Sequence, residues 1–204
     1  MVNFFKRMRK LNALLDVRTG TGAAILPTAA TATKEFPAIT RLHLTYAQKI
    51  YGGHQGARHF WRKCLPRLKF HNPAIPMTVR QTTEQEIPAS LTIYFSERTS
   101  DAASLLAAKI TDKHAPKPLD TEQSAILELK DLDFQAIWNK VAKVTGAQEV
   151  PPTAADLAQR ARHQEMDAKS ITDRARVAEI RQQRADRERM LKEAKGEIEK
   201  LKEI

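Results

Sequence analysis

Between Gly52 and Pro76 the chain changes its hydrophobic period within 25 residues, and that change restricts it to a fold alternating strand and helix. Upstream, Leu42, Leu44 and Tyr46 alternate with Arg41, His43 and Thr45 from Ile39 onward, the two-residue period of a half-buried strand. Gly52, Gly53 and Gly56 permit a sharp turn. Ala57, Phe60, Trp61, Cys64 and Leu65 then recur at helical spacing, with Arg58, His59, Arg62 and Lys63 on the other side. Pro66 is expected to stop that helix, because the residue before a proline is pushed out of the α region. Leu68 and Phe70 alternate with Arg67, Lys69 and His71, which predicts a short strand with one apolar and one basic face, closed by Asn72-Pro73. Strand, helix and strand in this order make a right-handed parallel βαβ unit.

Downstream, Met77 and Val79 extend an edge segment, and Leu91, Ile93 and Phe95 alternate as another strand. Residues 99–121, with Pro116 and Pro118, read as a long loop or insertion. Ile126, Leu127 and Leu129 form a last strand that turns at Asp131. Asp133 is placed to cap a helix whose apolar face is Phe134, Ile137, Trp138, Val141 and Val144, ending near Gly146.

The pattern Gly56-Ala57-Arg58, Phe60-Trp61-Arg62, Leu65-Pro66 and Leu68-Lys69-Phe70-His71-Asn72-Pro73 resembles the signature of a small thioredoxin-like domain. That domain is shared by mitochondrial ribosomal proteins of both subunits and by a small accessory subunit of mitochondrial NADH dehydrogenase. The resemblance runs from about Ile39 to Gly146. With extensions at both ends, the chain is most similar to the branch in the large subunit of fungal mitochondrial ribosomes. The resemblance implies an α/β, thioredoxin-like, four-stranded mixed sheet with two packed helices. The elements read from the residues are the same. A small-subunit ribosomal protein and an accessory subunit of NADH dehydrogenase stay open as alternatives.

Charge placement points to a polyanion. The chain carries a net charge of +10, but residues 1–80 hold 14 Lys and Arg against two acids, Asp16 and Glu35, leaving the remaining 124 residues at −2. A basic excess gathered in one portion is the footprint of phosphate neutralisation, which releases condensed counterions. Residues 1–15 read as a short amphipathic helix with Phe4, Met8, Leu11 and Leu15 on one side and Lys6, Arg7, Arg9 and Lys10 nearby. That composition suits a retained mitochondrial targeting helix and, almost as well, a membrane-surface or RNA-contacting one. Residues 16–38, rich in Thr, Ala and Gly, read as an extended arm lying across another surface. The expected organisation is therefore a basic helix and arm over 1–38, the thioredoxin-like domain over 39–148, and a charged helix over 153–204. After Pro152 there is one glycine, no proline, and 13 basic against 11 acidic residues. Thr153 and Asp156 form a capping pair. The apolar stripe is too thin for a coiled coil, so this is expected to be a single solvated helix supported by pairs such as Glu188 with Lys192.

Catalysis finds little support in the residues. Thiol–disulfide chemistry uses a Cys-x-x-Cys pair, and Cys64 is the only cysteine. It is expected to be a buried structural residue. The six histidines lack zinc-ligand spacing, and Gly52-Gly53-x-x-Gly56 lacks the lysine and hydroxyl ending of a phosphate-binding loop, although its amides lie where a helix start could meet an RNA phosphate. No cofactor, metal, small-molecule substrate or transmembrane segment is expected. RNA contact is assigned to Arg58, Arg62, Lys63, Arg67, Lys69 and His71, with Arg41, His54, Lys6, Arg7, Arg9 and Lys10 added. Phe60, Trp61 and Phe70 are assigned to the core. The expected partners are ribosomal RNA and neighbouring mitochondrial ribosomal proteins, in the mitochondrial matrix.

Overall fold

The computed structural model describes residues 13–107 and 110–202. Helix α1 (Ala13–Arg18) leads to the two-residue strand β1 (Ala24–Ile25) and then to β2 (Ile39–Ala47). Two short helices, α2 (Gln55–Lys63) and α3 (Leu65–His71), carry the chain to β3 (Met77–Thr82), parallel to β2. Next come β4 (Ser90–Phe95), α4 (Asp101–Leu106), β5 (Gln123–Glu128), α5 (Phe134–Thr145) and β6 (Gln148–Glu149). The main sheet has the order β3-β2-β4-β5, with only the β2–β3 pair parallel. From Thr153 the chain forms a second compact unit containing helix α6 (Ala154–Lys202).

The core sits between one face of the sheet and helices α2 and α5. Leu42, Leu44 and Tyr46 of β2 and Leu91, Ile93 and Phe95 of β4 meet Phe60 of α2 and Ile137, Trp138, Val141 and Val144 of α5, all buried. Each fully buried side chain of this size contributes about 1.5–3 kcal/mol. At Gly56 an added Cβ would lie 1.6 Å from the Leu132 carbonyl oxygen, so a side chain there would wedge α2 away from the turn before α5. α5 ends as its sequence predicts, with Gly146 in the left-handed region at φ 64°.

Four expectations are corrected. First, residues 68–70 are not a strand. Cys64, Leu65, Leu68 and Asn72 are buried at helical spacing while Phe70 is 47% exposed, so Phe70 is not in the core. Three alternating residues are too few to separate the two periods. Pro66 starts α3 rather than ending all helix here, since the first helical turn has no use for the missing N–H. The parallel strand of the βαβ unit is β3 instead.

Second, the described part of the arm, residues 13–38, lies on this unit's own surface. β1 pairs antiparallel with β6, Ala24 and Leu26 are fully buried, and α1 packs against α3. Third, β2 is buried on both faces from Leu42 onward. Residues 110–122 cover the polar side, where Ser90 donates to Asp112 at 2.9 Å and the Tyr94 hydroxyl donates to the Pro116 carbonyl. Fourth, α4 interrupts the expected loop at 99–121, capped by Ser100, whose hydroxyl accepts from the Ala103 amide.

In the second unit, Thr153 and Asp156 bond reciprocally as a capping pair. The expected bond between Glu188 and Lys192 is not made; among the described residues, Arg174 and Gln183 instead bond Ser170 and Glu179.

Candidate nucleic-acid interface

The basic residues of the motif fall into two groups, and their local bonding separates them. Arg67 faces the chain that precedes the sheet. Its Nε donates to the Asp16 carbonyl at 2.6 Å and its Nη1 to the Thr21 carbonyl at 2.9 Å. His71 Nε2 donates to the Arg18 carbonyl at 2.9 Å. Next to it, Asn72 accepts from the Leu26 amide and donates to the Ala24 and Leu68 carbonyls, all within 2.8 Å. Together these residues hold residues 16–26 against α3. Lys69 spans the following turn, its ammonium donating to the carbonyls of Pro73 and Ile75 at 2.9 Å each.

Arg41 and His54 are also engaged within the chain. The Arg41 guanidinium pairs with Glu122 at 2.7 Å, bonds the Lys117 carbonyl, and lies 4.1 Å from the centre of the Tyr94 ring. Burial by itself would raise the Glu122 carboxyl, but bonds from Thr40, the Leu119 amide and Arg41 outweigh it and hold the group below its ordinary value. His54 is 1% exposed; its Nδ1 accepts from the Ala47 amide and its Nε2 donates to the Gln85 carbonyl.

What remains is the outer face of α2. Arg62 and Lys63 are exposed and Arg58 is half-buried. Among the described residues none of the three has an intrachain hydrogen bond or ion pair, and the Lys63 ammonium rests 4.3 Å from the centre of the Phe134 ring. Helical periodicity puts these cations on one side because Ala57, Phe60 and Cys64 occupy the other. No acid lies within α2 to neutralise them. At the start of α2, a cleft of about 540 Å³ is lined by Ile50, Tyr51, His59, Asp131 and Asp133 around the glycine turn. The two carboxylates make the glycine amides a poor anion cradle. Tyr51, 74% exposed, was not singled out from the sequence, although it stands outside the strand's alternation and beside the turn, which is the signal for an exposed ring. Lys6, Arg7, Arg9 and Lys10 lie outside the described residues.

Cys64 is fully buried among α2, α3 and the core, and burial pushes its thiol up to about 11 against the pull of Arg67 and Lys63. It stays a neutral thiol at physiological pH, without a second cysteine to resolve a disulfide.

Residues 57–102, which span most of α2, all of α3, strands β3 and β4 and the first residues of α4, match the mitochondrial ribosomal protein L51 / S25 / CI-B8 domain. A large ribosomal subunit protein mL61 of Neurospora crassa is 32% identical over 206 residues, covering 99% of this chain and 98% of that protein. The large ribosomal subunit protein mL61 of Saccharomyces cerevisiae is 37% identical over 60 residues, 28% of this chain and 44% of its own length. With likeness extending along nearly the whole of both chains in the Neurospora case, and with the domain match falling on the helices just described, this chain belongs to the mL61 family of large ribosomal subunit proteins.

Proposed function

We infer that the protein is a structural, non-catalytic constituent of the large subunit of the mitochondrial ribosome, working in the mitochondrial matrix, and that it grips ribosomal RNA through the outer face of α2. The observation that carries the RNA contact is the set Arg58, Arg62 and Lys63, three cations on one helix face with no hydrogen bond or ion pair among the described residues. Guanidinium groups fit phosphate oxygens in pairs, and Lys63 adds a point charge. RNA backbone is read by such contacts and by shape, with little base readout. Tyr51, exposed in the cleft at the start of α2, offers a ring on which an unpaired base can stack. Arg67 and His71 contribute by holding the segment before the sheet against α3, and Lys69 by tying down the turn that follows α3.

The names of the relatives favour the large subunit over the small subunit and over NADH dehydrogenase. The test replaces Arg58, Arg62 and Lys63 together by Glu. The variant is expected to melt within a few degrees of the parent, because among the described residues none of the three side chains makes a hydrogen bond or ion pair, and to lose co-sedimentation with large subunits. A variant that folds and still travels fully with the particle would overturn the RNA assignment.

A further inference from the structure

Helix α6 carries a second, different surface between residues 176 and 198. Val177, Ile180, Leu191 and Ile198 recur at spacings built from three and four residues and are between 40 and 56% exposed. Arg184 and Arg187 occupy the intervening positions of the same seam. Among the described residues neither arginine has a hydrogen bond or ion pair within the chain. Glu179, Asp186 and Glu193, at seven-residue spacing, run along the far side of the helix. The segment therefore has two cations embedded in an apolar stripe on one side, and on the other the three carboxylates together with Arg189.

We propose that this seam docks an amphipathic helix of a partner protein, one whose own seam is apolar at its ends and carries two carboxylates in the middle. Phosphates alone would satisfy Arg184 and Arg187 but leave Val177, Ile180 and Leu191 in water. A groove deep enough to enclose the helix would also bring Glu179, Asp186 and Glu193 against the backbone of the nucleic acid. A second copy of the chain fits less well. Antiparallel pairing about Val177 and Ile180 sets Asp173 against Arg184 but only Ser170 against Arg187. A partner with two acids matches both cations, and burying them with carboxylates gives a specific register that an all-apolar stripe lacks. The inference rests on α6 alone and is independent of the RNA assignment to α2.

The experiment uses the full chain and two synthetic helical peptides with leucine seams, one with glutamates and one with lysines at the two positions facing Arg184 and Arg187. Fluorescence anisotropy is expected to show the glutamate peptide binding roughly 100-fold tighter than the lysine peptide, since like charges facing each other in a buried seam are strongly disfavoured. Arg184→Glu with Arg187→Glu should reverse that preference, while Arg58, Arg62 and Lys63 changed to Glu should leave it intact. Equal binding of the two peptides would overturn the proposal. So would an RNA hairpin that binds only with Arg184 and Arg187 in place, or a dimer in sedimentation equilibrium that Asp173→Lys dissolves.

Discussion

Asn72 shows how a single side chain ties the segment before the sheet to the helices behind it. Its amide satisfies one buried N–H, from Leu26, and two buried carbonyls, of Ala24 and Leu68. A buried polar group left without its partner costs about 1–3 kcal/mol. Asn72→Ala is therefore expected to destabilise the fold by about 2–4 kcal/mol. It should also raise amide exchange first in residues 19–26, measured by hydrogen–deuterium exchange; uniform loss of protection across the sheet would argue against a local anchor. His43 is the titrating counterpart. Burial holds its imidazole below the ordinary value of 6.5, Asp112 pulls it up less strongly, and His114, Arg41 and Arg80 push it further down. The unfolded chain takes up this proton first, so the folded state loses stability as pH falls from 6.5 through the lowered value. Thermal melts should be flat between about pH 7 and 8, below the range where the Cys64 thiol titrates, and fall below pH 7, and His43→Gln should remove that part of the slope. Glu122 adds its own loss of stability only as pH falls below 4.5, because its carboxyl is held under that value.

At the level of elements, two glycines make opposite predictions. An added methyl at Gly56 meets the Leu132 carbonyl at 1.6 Å, and backbone must move to admit it, so Gly56→Ala is expected to cost about 3 kcal/mol or more. At Gly196, inside α6, an added Cβ meets nothing within 4 Å, so Gly196→Ala should stabilise the helix by about 1 kcal/mol. Circular dichroism melts of both variants check the pair, and equal effects would sink the argument. The same contrast explains what could be read in advance. β2, β4 and α5 were legible because each repeats its period over enough residues to exclude the other, and Gly146 closes α5 where it should. α3 was not, because Leu68 and Phe70 satisfy two-residue alternation over three residues while the deciding neighbours Cys64 and Asn72 lay outside that span. Of the site, α2 was legible from its amphipathic spacing. The engagement of Arg67 and His71 was not, because their acceptors are carbonyls about fifty residues away in the chain, and carbonyl oxygens leave no trace in side-chain sequence.

For the molecule as a whole, the distribution of charge matters more than its sum. A surplus of +12 in residues 1–80 against −2 in the rest creates a field that would draw a polyanion to one portion of the chain, but a field does not say which cations would make contact. Five of the eight described candidates have bonds within the chain, and Arg58, Arg62 and Lys63 do not. Counterion release turns that distinction into a number. Each phosphate contact contributes about 0.7–0.9 to the slope of log affinity against log salt, so reversing the three α2 cations should lower the slope by about 2–3. Reversing Lys69, whose ammonium is held by two carbonyls, should leave the slope nearly unchanged, as should swapping the RNA hairpin for another of the same shape and different sequence. Equilibrium binding to RNA hairpins from 50 to 300 mM salt, on the order of the range where such slopes are read, supplies all three comparisons. A slope that falls equally for Lys69 and for the α2 set would mean that the diffuse field, rather than one helix face, holds the nucleic acid.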